Sequence, residues 1–218
     1  MQRRYCERKI MLNELINRYP VLEDIKMDIV NAKDALIECY KNDGKVLICG
    51  NGGSCADSDH IVGELMKGFL KLRPLSEEKK TEMKKNCSLV DDALLSKLQG
   101  ALPAISLPSI TALNSAFCND VDPELIYAQA LMSLSRKNDI LIAISTSGNS
   151  KNVFGAVKVA KALGVKVIGL SGANGGKLKE AADICICVPE TETFKIQELH
   201  LPVYHYLCAA VEDYFFKN

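Results

Sequence analysis

The sequence predicts a doubly wound α/β domain built on a parallel sheet. Five short apolar runs, near 45–49, 103–107, 140–145, 166–170 and 184–188, alternate with stretches of helical spacing. Most of these runs are continuous, as expected of strands covered on both faces. Two of them, Val46-Leu47-Ile48 and Ile140-Leu141-Ile142-Ala143-Ile144, lead directly into loops of glycine and serine. Strands and helices alternating in this way imply right-handed crossovers, with helices on both sides of the sheet.

The elements follow in order. Residues 7–42 read as helix, with Leu12, Leu15, Ile16 and Tyr19 on one apolar face. Pro20 breaks it, and Asp24, Ile25, Ile29, Ala32, Leu36 and Ile37 continue the pattern. Asn42-Asp43-Gly44 ends this part. Further helices are expected near 55–71, 123–136, 150–163, 175–181 and 195–216. The stretch 72–100 does not fit the alternation. Ser76-Glu77-Glu78 is an N-cap followed by acidic residues, so one or two helices are expected there, as a solvated lid or a packed subdomain.

A chain of 218 residues is long enough for one domain with an ample core. Its 48% hydrophobic and 25% charged content suits a soluble globular protein. Lys+Arg and Asp+Glu balance at 27 each, which favours neither nucleic acid nor an anionic membrane as partner. The first residues are polar, and no apolar run approaches the roughly 20 residues that span a bilayer. A cytoplasmic protein is the expectation. The nine cysteines include no C-x-x-C pair. Cys185 and Cys187 alternate along one run, so they share a strand face, and they read as buried reduced thiols before metal ligands or a disulfide.

The two loops are Cys49-Gly50-Asn51-Gly52-Gly53-Ser54 and Ser145-Thr146-Ser147-Gly148-Asn149-Ser150. A strand, a small-residue loop and a helix N-terminus together make an anion site. Two of them point to a phosphorylated small molecule. Neither is a Walker A loop, because no Gly-Lys-Ser/Thr ending is present, and the third glycine of a dinucleotide fingerprint is misplaced. His60 and Glu64 stand one turn apart on the helix after the first loop, placed for one metal or for an acid–base pair. The other two histidines, His200 and His205, lie five residues apart on the last helix and face different ways. Asp120, after Asn119, is placed to orient a sugar hydroxyl or to cap the helix near Pro123.

These residues resemble the sugar-isomerase (SIS) domain family, and within it the sedoheptulose-7-phosphate, or phosphoheptose, isomerases. The matching motifs are Cys-Gly-Asn-Gly-Gly-Ser at 49–54, His60-x-x-x-Glu64, Ile-Ser-Thr-Ser-Gly-Asn-Ser at 144–150 and Ile-Gln-Glu-Leu-His at 196–200. The resemblance implies a single SIS domain over 1–218, with five parallel strands in the order 2-1-3-4-5. It implies a homotetramer with sites at subunit interfaces, helped by the helices of 1–42. It implies an aldose–ketose exchange in which a proton moves between carbons 1 and 2 of the sugar through an enediol.

By motif position Glu64 resembles the family's base and His205 its acid–base partner. Ser54, Ser145, Thr146, Ser147 and Ser150 would hold the phosphate, with Gly52 and Gly53 in the same loop. Asn51, Asn119, Asp120 and Gln197 would meet the sugar. Some members bind zinc through the positions of His60, Glu64, Gln197 and His205. Gln197 and His205 stand eight residues apart, about 12 Å along a helix, so both reach one ion only if Gln197 sits at an irregular helix start. The chain departs from the family in two places: Glu192-Thr193-Phe194-Lys195-Ile196 stands where many members have Asp-Arg-Ile, so the acidic residue is missing from its expected spacing, and 72–100 replaces a short connection. The rival expectation is a non-catalytic SIS tetramer that binds a regulatory partner. Such a protein lacks the equivalents of Glu64 and His205, which this chain has. An isomerase of another sugar phosphate is the remaining alternative.

Overall fold

The computed structural model describes residues 11–216. Residues 7–10 of the expected first helix, and Cys6, lie outside the described residues. Five strands form one sheet: β1 (Val46–Cys49), β2 (Ala104–Ser106), β3 (Ile140–Ile144), β4 (Lys166–Ser171) and β5 (Ile184–Cys187). Their order is β2-β1-β3-β4-β5, and every neighbouring pair is parallel. Ile48 stands beside Ile142 and Cys49 beside Ala143, so β1 and β3 end side by side and their two loops leave the same sheet edge. This is the switch point of the sheet, where open α/β folds place ligands.

Alternation along the strands decides which side each residue serves. Val46 and Ile48 pack with Ile140, Ile142, Ile168 and Leu170 against one helical layer. That layer contains α1 (11–18), α2 (Lys26–Lys41), α3 (Gly53–Met66) and α10 (Thr193–Phe215). Leu47, Cys49, Leu141, Ala143 and Val167 face the other way. They meet α7 (Ile126–Leu134), α8 (Lys151–Ala162) and α9 (Gly176–Ala181). Each fully buried Leu or Ile contributes about 1.5–3 kcal/mol relative to exposure. Continuous apolar runs arise because both faces are covered.

Pro20 opens a 3-10 turn, Pro20–Ile25, that separates α1 from α2. Between α3 and β2 the chain forms α4 (Glu77–Asn86) and α5 (Asp92–Leu95). Ser76 caps α4 by accepting from the Lys79 N–H at 3.2 Å. None of α4's residues is buried, whereas Leu95 of α5 is. The excursion closes where Pro74 bridges Gln99.

Immediately before it, the chain is clasped to α10. The Glu212 carboxylate is fully buried and accepts from Phe69 N and Leu70 N at 2.8 Å and from Lys71 N at 3.2 Å. It also accepts from Arg73 Nε at 2.8 Å. The Arg73 guanidinium donates onward to the carbonyls of Leu65 and Glu64 at 2.6 and 3.0 Å, capping the C-terminus of α3.

One helix was not expected from the sequence, α6 (Thr111–Asp120). None of its residues is fully buried, and Leu113 packs only partly against the core, so its apolar stripe is weak. Asp120 is its last residue and caps nothing after it. The cap of the next turn, Pro123–Leu125, is Asp122, which accepts from Glu124 N at 2.7 Å. Helix α3 ends at Met66, short of residue 71, because Lys67 turns extended.

Candidate active site

The two glycine and serine loops meet. Asn51 of the first and Asn152, in the first turn of α8, exchange amide hydrogen bonds of 2.8 and 2.9 Å. The Tyr127 hydroxyl is positioned to donate to Asn51 Oδ1 (3.0 Å) and to the Gly50 carbonyl (2.8 Å) from below. Ser54 is buried and its carbonyl accepts from Ser58 Oγ at 2.8 Å. In the second loop the Ser145 and Ser150 hydroxyls lie 3.0 Å apart, and Ser171 of β4 donates to the Ser145 carbonyl at 2.8 Å. Thr146 is half-buried and Ser147 exposed. Gly148 adopts φ +66°, and a Cβ there would lie 1.8 Å from the Gly175 carbonyl oxygen, so only glycine fits. Helices α3 and α8 both start at this edge, and their N-termini favour an anion there.

A second group lies further along α3. Helices α3 and α10 run side by side in the same direction. Gln197 lies over Gly53, Tyr204 meets Asp57 and His60, and Glu212 meets residues 69–71. His60 Nε2 is 3.3 Å from Glu64 Oε1, as their spacing predicts. The ring of His205 packs edge-on to that of His60 at 5.0 Å and against Phe69 at 5.4 Å. His205 Nε2 and Glu64 Oε2 are both buried without a hydrogen-bond partner. The Lys67 ammonium stands 3.7 Å from Glu64 Oε2. Burial, and then the neighbouring His60, hold His205 below the ordinary histidine range, so its imidazole is neutral at neutral pH.

His60 is fixed from behind. Its Nδ1 lies 3.0 Å from the Tyr204 hydroxyl, which lies 3.2 Å from Asp57 Oδ1. Tyrosine has one proton, and the carboxylate takes it. The tyrosine oxygen therefore accepts from His60 Nδ1–H. That leaves His60 Nε2 as an acceptor facing Glu64 Oε1, able to share a proton that the carboxylate takes up. Burial raises Asp57 above the usual carboxylate range, while the Tyr204 hydroxyl acts against this. Asp57, Tyr204 and Asn152 escaped sequence reasoning. The available signal was position: Asp57 precedes His60 by three residues and Tyr204 adjoins His205.

The remaining expected residues are placed as follows. Asn119 donates to Asp120 at 2.8 Å, both exposed at the end of α6. His200 is fully buried, with Nε2 3.3 Å from the Ser171 carbonyl, and so it does not share the face of His205. Gln197 lies in the regular part of α10, its amide 2.5 Å from where a Gly53 Cβ would sit. That is seven residues, about 10 Å, along α3 from His60. His60, Glu64 and His205 are donors of zinc-ligating type. However, Gln197 is not among them, and no three His, Cys, Asp or Glu side chains among the described residues are arranged to hold one ion. Within one chain Gln197 therefore stands apart from His60, Glu64 and His205.

The buried thiols are Cys39, Cys49 and Cys208, not the expected Cys185 and Cys187. Cys55, Cys185 and Cys187 are half-buried, and Cys87 and Cys118 are exposed.

Comparison with known proteins agrees with this architecture. SIS-domain profiles match residues 13–105 and 112–209. The phosphoheptose isomerase of a Nitratiruptor species is 38% identical over 89% of this chain and 90% of its own length. That of a Helicobacter pylori strain is 39% identical over 89% and 88%. The solved phosphoheptose isomerase from Francisella tularensis superposes with a TM-score of 0.71 at 32% identity, covering 95% of this chain and 94% of that one. The Neisseria gonorrhoeae phosphoheptose isomerase gives 0.69 at 30% identity over the same shares. With its sheet order, its paired serine loops and relatives matched over almost their full length, this chain belongs to the phosphoheptose isomerases of the SIS-domain family.

Proposed function

We propose that the chain interconverts sedoheptulose 7-phosphate and D-glycero-D-manno-heptose 7-phosphate through an enediol. One observation carries the assignment of the chemistry. A buried carboxylate oxygen of Glu64 and a buried imidazole nitrogen of His205 both lack hydrogen-bond partners, on neighbouring helices. Unpaired buried polar atoms of this kind are costly unless a substrate completes them.

In the direction from ketose to aldose, Glu64 takes a proton from carbon 1. His205, neutral, passes a proton between the oxygens on carbons 1 and 2. Glu64 then returns its proton to carbon 2. His60, braced by Tyr204, shares the proton that Glu64 holds. The phosphate rests on Ser54, Ser145, Thr146, Ser147 and Ser150, whose hydroxyls and helix N-termini supply the charge complement without arginine. Asn51 is held by Asn152 and Tyr127 at the sugar end of that cradle.

The proposal includes a cytoplasmic homotetramer. Met66, Leu70 and Leu201 are exposed apolar side chains near Glu64 and His205, and a second copy would cover them. Light scattering of the purified protein tests this, and a monomer would refute it.

NMR with sedoheptulose 7-phosphate in deuterated water tests the chemistry. An aldose heptose 7-phosphate carrying deuterium at carbon 2 is the expected product. Glu64→Gln is expected to stop turnover while leaving phosphate-dependent binding intact. Turnover surviving in that variant would overturn the assignment of the base.

A further inference from the structure

Cys185 and Cys187 take no part in the site described above. They lie on β5, the outer strand of the sheet, two residues apart and hence on one face. Their sulfurs are 3.6 Å apart and both residues are half-buried. Neighbouring glycines make room for them. A Cβ at Gly169 would lie 2.9 Å from Cys185 Sγ, and one at Gly175 3.0 Å from Cys187 Sγ.

Two kinds of chemistry suit a close thiol pair, and geometry separates them. A disulfide needs Cβ atoms about 3.5–4.5 Å apart. Residues two apart on a strand have Cα atoms about 6.6 Å apart, at the outer end of the disulfide range, and their side chains stand nearly parallel, which disfavours bringing the Cβ atoms that close. A tetrahedral ion with metal–sulfur bonds of about 2.3 Å instead needs its two sulfurs about 3.8 Å apart. The observed separation is within a few tenths of an ångström of that edge.

We propose that Cys185 and Cys187 form a two-sulfur clip for a soft d10 cation such as Cd2+ or Zn2+, with its remaining positions filled from solvent. Thiolates select such ions over hard ones. A bound cation takes the place of both thiol protons. Lys179 repels a bound cation, while Asp28 attracts it. No third His, Cys, Asp or Glu among the described residues completes the set, so this is a bidentate, exchangeable site.

The probe is Cd2+ added to the reduced full-length protein, followed by the ultraviolet sulfur-to-metal charge-transfer band and by competition with a chelator of known affinity. Wild type is expected to bind one equivalent tightly. Cys185→Ser and Cys187→Ser each leave one arm and are expected to weaken it by about a hundredfold, the low end of what linking two ligands supplies. Either variant decides the matter if the other fails to fold. The double variant Cys87→Ser/Cys118→Ser, which removes exposed lone thiols, is expected to bind as wild type does. Unchanged binding in Cys187→Ser, or no tight equivalent in wild type, would overturn the proposal. So would a Cys185–Cys187 disulfide recovered after mild peroxide treatment, since the strand would then allow the closure that its geometry disfavours.

Discussion

Glu212→Gln is the substitution from which the largest loss of stability is expected. The carboxylate accepts four hydrogen bonds with no exposure to water, and it is the counter-ion of Arg73, whose side chain is 0% exposed. Glutamine has nearly the same shape but offers one acceptor and one donor. Its amide N–H2 must face either Leu70 N and Lys71 N or Phe69 N and Arg73 Nε, donor against donor. Arg73 keeps its charge but loses its counter-ion, leaving neutral acceptors such as the Glu64 and Leu65 carbonyls and the Phe216 ring to meet it. Removing one partner of a buried ion pair costs about 3–5 kcal/mol.

Arg73→Met should cost less, because three backbone N–H groups still neutralise Glu212. Urea unfolding of both variants at one fixed protein concentration measures the difference, with the slope checked against wild type. A loss below about 1 kcal/mol for Glu212→Gln, the range of an exposed pair, would refute the reasoning. So would Arg73→Met proving the more damaging of the two.

Other expectations follow from single contacts. Tyr204→Phe removes the acceptor for His60 Nδ1–H, so 15N NMR should show that proton no longer fixed there. Turnover should fall about ten- to a hundredfold with the fold intact, and an unmoved His60 signal would contradict the order of donation derived above. His200 is buried neutral, with its pKa lowered from 6.5 to about 4 by desolvation. A depressed histidine stabilises the fold above 6.5 and loses that contribution as pH falls towards 4. That contribution is on the order of 3 kcal/mol, so His200→Gln should flatten the acid limb of stability measured from pH 7 to pH 4, and an unchanged limb would count against it. Ser76→Ala removes the cap of a helix with no buried residue. It should cost about 1 kcal/mol of local helix stability, visible in hydrogen exchange of α4 amides but not in global unfolding.

The sheet was legible because most strands are continuous apolar runs, and both loops because glycine and serine follow two of those runs without interruption. The separation of His200 from His205 was legible too, since five residues on a helix turn the second away from the first. What escaped had no periodic signal. Helix α6 has no fully buried residue and rests on the core mainly through Leu113, so Thr111–Asp120 read as connection, and the cap that Asp120 was one candidate for belongs to Asp122.

The Arg73–Glu212 clasp escaped for a different reason. Its partners are 139 residues apart, and each looks like an ordinary charge in its own segment. Only the fold shows that Glu212 ends the buried run that begins at Tyr206 and meets the backbone of residues 69–71 there. The same pairing bears on the chemistry. Arg73 holds the backbone carbonyl of Glu64, so the residue assigned as base is fixed at its main chain by an ion pair and at its side chain by His60. Helix α10 supplies Glu212, Tyr204 and His205 to these contacts. Stability and acid–base geometry thus share one pair of helices. A variant that loosens their far end through Glu212 should therefore lower turnover before it unfolds the protein.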